Sequence, residues 1–158
     1  MIKSWMVIGG VAIALAILSN VFLEPKGIKW FSRLRRPRWL TFEKAIPVIW
    51  TVVFICTGWS AYLTWEQAPG TPKTWVFMGL YILLEVVTLS YNTVMLALRS
   101  LKVGVIIGGA GAILALLLAA TVWPLSGWAA ALLIPYLLWS PIGTYTTWEM
   151  MRLNPTDA

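Results

Sequence analysis

The chain has 158 residues, of which 59% are hydrophobic and only 11% charged, with a mean hydropathy of +0.79. A water-soluble domain carries about 25% charged residues, so the composition excludes one and names lipid as the solvent. Histidine is absent and Cys56 is the only cysteine, which excludes a disulfide framework, the usual Cys/His zinc sites and axial-His haem ligation within one chain.

One membrane span needs about 20 apolar residues, so five spans with short connections use almost the whole length. The first covers about residues 5–23, reading WMVIGGVAIALAILSNVFL without an internal charge. A signal peptide is the competing reading, because Lys3 supplies a small positive start. The apolar stretch exceeds a usual signal core, and Glu24-Pro25-Lys26-Gly27 follows in place of an A-x-A site. A retained helix is therefore expected. A connecting segment, Glu24 to Ala45, is rich in Lys, Arg, Pro and Trp. The second span, about 46–65, starts with Pro47 in the tolerated first turn. Breakers from Glu66 to Lys73 precede the third span, about 74–98, which Arg99-Ser100-Leu101-Lys102 closes. The fourth covers about 103–123 and stops before Pro124. The fifth covers about 128–151 and ends in a polar tail. In the fourth, Gly104, Gly108 and Ala112, and again Gly111, Ala115 and Ala119, recur at four-residue spacing. Such stripes permit close helix approach in lipid, within the chain or to a second copy.

Twelve Lys and Arg face six Asp and Glu. They lie mostly between apolar spans, so topology explains them and nucleic-acid binding is not expected. Lys3 and Lys73 fall on one side. Lys26, Lys29, Arg33, Arg35, Arg36, Arg38, Lys44, Arg99, Lys102 and Arg152 fall on the other. The positive-inside rule then puts the N-terminus outside, with the first loop and C-terminus in the cytoplasm.

That first loop also contains Ile28, Trp30, Phe31, Leu34, Trp39, Leu40 and Phe42. Such residues need burial, either at the lipid interface that Trp favours or as a folded lid over the bundle. The order of residues bears on the choice. Trp30-Phe31, Leu34, Arg36-Pro37-x-Trp39, Pro47 and Trp50 resemble the WY-x3-L-x-KP-x-W signature of the translocator protein family (TspO, the peripheral benzodiazepine receptor). Leu132-Leu133-Ile134-Pro135-Tyr136-Leu137-Leu138-Trp139, then Gly143-Thr144-Tyr145 and Arg152-Leu153-Asn154, are similar to its LL-x-PYL-x-W-x3-ATYLN segment.

The resemblance implies an all-α, five-helix integral membrane bundle with a structured first loop, often a homodimer. It also implies a pocket between the helices on the loop-one side, for porphyrin- or haem-type tetrapyrroles, sterol-like lipids or benzodiazepine-type ligands. Carried over by position, the ligand-binding candidates are Trp39, Trp50, Phe54, Thr88, Trp139 and Gly143, with Trp30, Phe31 and Pro37 as lid. Trp50 and Phe54 share one helix face by their spacing, as do Trp139 and Gly143. Departures fall mainly on the third span. The family's Gln, Asn and Trp there become Leu84, Thr88 and Tyr91, so the Thr88 hydroxyl stands where the resemblance implies an amide. The double proline after the loop Trp is Leu40-Thr41-Phe42 here. Leu138 and Arg152 each lie one residue too far from Tyr145 for the sterol pattern, and no sterol claim follows.

Glu85 lies near the middle of the third span, where an ionised carboxylate is costly. It reads either as a proton-linked or cation-binding group facing a cavity, or as a protonated side chain bonded to a neighbouring helix. The functional expectation is a membrane protein that binds tetrapyrroles as sensor, regulator or carrier, with no obligatory cofactor, metal site or catalytic residue. The alternatives are light-dependent porphyrin degradation, which the resemblance permits, and a small transporter. Nothing at the N-terminus reads as an Arg/Ser-rich transit segment, so a bacterial inner membrane is the expected location.

Overall fold

The computed structural model describes residues 2–158, and every regular element in it is helical. α1 (Ser4–Val21) is an uncharged apolar helix whose last turn is closed by Ser19 and Asn20 side chains donating to the Ala16 carbonyl, both at 2.8 Å. Pro25 cannot continue it and instead opens α2 (Pro25–Arg33), as first-turn prolines do. A single 3₁₀ turn, Glu43–Ala45, leads into α3 (Ile46–Gln67), again with Pro47 in the first turn. α4 (Pro72–Leu98) starts at Pro72, and the preceding Thr71 side chain accepts from the Thr74 N–H.

α4 ends where Arg99 turns left-handed, φ +49°, and the Ser100 N–H reaches back to the Met95 carbonyl. That is the backbone closure of a Schellman motif, usually built on glycine. Ser100 then caps α5 (Leu101–Val122), and Ser126 caps the short α6 (Gly127–Ala131). α7 (Ile134–Leu153) follows. Among the described residues, four helices are long and apolar enough to cross a membrane: α1, α3 with its leading turn, α4 and α5. The sequence predicts one continuous helix over about 128–151, and this expectation needs correcting. The chain breaks at Leu132–Leu133, because Pro135 has no N–H to offer the Ala131 carbonyl and its ring crowds that turn.

The helices pack as a bundle in which α5 runs along both α4 and α7, while α1 rests on α3 and α4. Lipid supplies no hydrophobic drive between helices, so close packing and interhelical hydrogen bonds must hold them. Both are present. A Cβ added to Gly108 would stand 2.6 Å from Thr144 Oγ1, and one added to Gly111 would stand 2.9 Å from the Tyr136 hydroxyl. Gly108 and Gly111 of α5 thus serve approach to α7 within the chain. Ser60 donates to the Ala129 carbonyl at 2.6 Å, so the Tyr81 hydroxyl donates to Ser60 at 2.6 Å, tying α3, α4 and α6 together. α1 is held least, since none of its residues is buried.

Loop one is folded. Gly27 lies so close to the Leu96 backbone that no side chain would fit. Arg36 donates to the Phe31 and Leu34 carbonyls at 2.6 and 2.7 Å and pairs with Glu43 at 3.3 Å. Asn154 clasps the loop to the end of α7: its carbonyl oxygen accepts from the Arg35 N–H at 2.9 Å, and its amide donates to the Arg35 carbonyl at 3.1 Å.

Candidate ligand cavity

A cavity of about 340 Å³ lies between α1, α3 and α4, with Tyr136 of α7 at its inner end. Each helix contributes one face. From α3 come Phe54, Thr57, Gly58, Ala61 and Trp65, and from α4 come Trp75, Met78, Tyr81, Ile82, Leu84, Glu85 and Thr88. These follow the three- and four-residue spacing of one helical stripe. α1 closes the outer side with Ser4, Val7, Ile8, Val11 and Ala12. At the loop-two end the Trp65 and Trp75 rings meet edge to face, centroids 4.9 Å apart, and Ser4 donates to Glu66. At the inner end Trp50 backs the wall, 5.8 Å from the Phe54 ring and 6.0 Å from Tyr136.

The polar groups along the cavity divide in two. Thr88 donates to the Leu84 carbonyl and accepts from the Tyr136 hydroxyl, each at 2.6 Å, so its hydroxyl is engaged at both ends. Tyr81 is likewise engaged, donating to Ser60. Thr57 Oγ1 and Glu85 Oε1, by contrast, are shielded and meet no hydrogen-bond partner among the described residues.

The structure separates the sequence-predicted site residues into groups. Phe54 and Thr88 line the cavity, and Trp50 stands directly behind it. Trp39, Trp139 and Gly143 do not line it. Trp39 stacks on Tyr145 at 6.1 Å, and its indole N–H donates to Glu149. Phe42 bridges Trp39 to Trp139 at 6.2 and 6.3 Å. Trp139 also lines a shallow apolar groove between α3 and α7, while Gly143 has open space beside it. The lid candidates form a third group. Trp30 and Phe31 pack on the cluster of Leu34, Met95, Leu96, Leu101 and Met150, and the Trp30 N–H donates to Asp157 at 2.7 Å. Pro37 is buried in the loop. Sequence reasoning omitted Trp65, Trp75, Tyr81 and the α1 face from the site. Their signal is the shared stripe: Phe54, Gly58, Ala61 and Trp65 on α3, and Met78, Tyr81, Glu85 and Thr88 on α4.

A membrane bundle with a loop clasped to its last helix and an aromatic-walled cavity is the setting for the sequence comparisons. The TspO/MBR family profile matches residues 7–153. This chain belongs to the TspO/MBR family. It is 29% identical over 152 residues to the tryptophan-rich protein TspO of Bacillus cereus, covering 96% of this chain and 97% of that protein. The tryptophan-rich sensory protein of Cereibacter sphaeroides is 25% identical, with 86% of this chain and 82% of the relative covered. The translocator protein of Ovis aries is 24% identical, with 87% and 82% covered. Within a TspO/MBR chain the engaged Thr88 has a direct consequence. The hydroxyl that replaces the expected amide already serves α4–α7 packing, and the open polar positions lie one and more turns away, at Glu85 and Thr57.

Proposed function

We propose that this chain spans the membrane five times and binds a flat tetrapyrrole of the porphyrin class in the cavity between α1, α3 and α4. α6 and α7 together form the fifth crossing: α7 alone has 20 residues, about what one span requires. The observation that carries the ligand reading is the cavity's aromatic inner wall, Phe54 and Tyr136 backed by Trp50, in a member of the TspO/MBR family. Ring faces of this kind stack on a flat conjugated ligand. At about 340 Å³ the cavity lies at the small end of ligand pockets. A tetrapyrrole enters as α1 moves outward, and α1 is the helix with no buried residue.

The test is quenching of tryptophan fluorescence by protoporphyrin in detergent. Phe54→Ala and Trp50→Ala are expected to weaken binding by roughly three- to tenfold each, the worth of a lost aromatic contact. Trp39→Ala is expected to leave affinity within about twofold, because Trp39 stacks on Tyr145 outside the cavity. Unchanged affinity in both wall variants would place the ligand elsewhere.

A further inference from the structure

Glu85 stands at the midpoint of α4, the depth at which a carboxyl group is costliest in lipid. Such groups ordinarily find a partner across the bundle. Glu85 Oε1 has none among the described residues, and no Lys or Arg lines the cavity into which Glu85 faces. Thr57, on the facing helix α3, repeats the pattern. Thr51, Thr64, Thr88 and Thr144 all turn their hydroxyls back onto the carbonyl four residues earlier. Thr57 Oγ1 does not, and it is left shielded beside the same cavity. Two side chains on facing helices, each with an unpartnered polar atom, therefore line one largely apolar space.

The rest of the lining selects the sign of the missing partner. Ser4, which also borders the cavity, donates to Glu66 at the loop-two end, so a second carboxylate stands near that end. The Trp65 and Trp75 rings meet at that end, and the Phe54 ring lies toward the other. Indole and phenyl faces attract cations, most strongly where water is excluded. A carboxylate accepts its strongest hydrogen bonds from a charged donor. A compact ligand whose one polar group is a carboxylate would set that group beside Glu85 and gain nothing there. We propose that this cavity selects compact lipophilic molecules bearing a protonated amine, with Glu85 as the counter-ion and Thr57 as the second acceptor. The inference needs the cavity to admit a ligand but does not rest on that ligand being a tetrapyrrole.

The test is equilibrium dialysis on the full chain in neutral phosphatidylcholine nanodiscs, corrected against empty discs. Three compounds of one shape serve: 2-(1-naphthyl)ethylamine, 2-(1-naphthyl)ethanol and 1-naphthylacetate. The wild-type chain is expected to hold the amine about tenfold more tightly than the alcohol, and the acetate least. Glu85→Gln, which keeps the side chain's shape, should bring the amine down to the alcohol's affinity and leave the alcohol unchanged. Thr57→Val should weaken the amine by roughly twofold to threefold. Equal binding of amine and alcohol by the wild-type chain, binding of none of the three, or a uniform loss of all three in Glu85→Gln would overturn the proposal. Protoporphyrin quenching measured on the same samples keeps the two ligand readings apart. Amine selectivity without porphyrin binding sustains this inference alone, and porphyrin binding without amine selectivity overturns it alone.

Discussion

At the scale of single residues, the hydroxyl groups are the connectors of this bundle. Tyr81 joins Ser60 and Thr64, Tyr136 joins Thr88, and Tyr91 joins Thr147, so each tyrosine ties one helix to another. Interhelical bonds of this kind in lipid are each worth about 0.6 kcal/mol and at most roughly 2. Tyr81→Phe removes the donor to Ser60 while keeping the ring in the core. We expect it to lower stability by about 1 kcal/mol in denaturant-titrated detergent samples. An unchanged midpoint would show that the Tyr81–Ser60–Ala129 chain of bonds does not help hold α3, α4 and α6. Thr88 belongs to this set as well, which explains why a residue expected at the ligand turns out to be shared between ligand wall and helix packing.

At the scale of elements, loop one and the end of α7 act as a unit. Asn154 closes two hydrogen bonds on Arg35, and Trp30 reaches Asp157. Asn154→Ala should loosen the segment without unfolding the bundle. The expected outcome is faster hydrogen exchange across residues 25–44, with α3, α4 and α5 unchanged, since local opening follows lost local bonds. Equal exchange would remove the clasp as the loop's anchor. Much of the helical layout was legible in the residues, because prolines open α2, α3 and α4 and small side chains mark the contact face of α5. The break at Leu132–Leu133 was less so. Pro135 was visible, but an apolar run on both sides of a proline is compatible with a kinked helix and with two helices. The site was legible only in part. Spacing pairs Trp50 with Phe54 and puts Trp65 on the Phe54 stripe of α3, but that this stripe faces α4 and is closed by α1 depends on the way α1 lies on α3 and α4. No single-helix periodicity encodes that packing.

At the scale of the whole molecule, basic charge gathers at one end. Lys26, Lys29, Arg33 and Arg99 gather around one pocket beside Asn154 and Asp157, and Arg99 pairs with Glu24 at 3.9 Å. The Trp65–Trp75 pair and Glu66 lie at the loop-two end. We propose that the basic end faces the cytoplasm, in keeping with the positive-inside bias. In a Cys56→Ser background, an impermeant maleimide should label Lys73→Cys in intact bacterial cells, and Lys44→Cys only after permeabilisation. The reverse pattern would invert the topology.

Between these ends the cavity is the feature on which the functional account depends, and Gly58 gives the most direct access to it. Gly58 lines the cavity, and a Cβ built there meets nothing within 4 Å. Gly58→Leu therefore fills the space with apolar volume, while exchanging glycine for a better helix former favours α3 by under about 1 kcal/mol. Protoporphyrin affinity of this variant is the measurement that bears most directly on the cavity as the ligand site. The account predicts a loss of about tenfold or more with thermal stability equal to or above wild type. Wild-type affinity in a folded Gly58→Leu chain would contradict it.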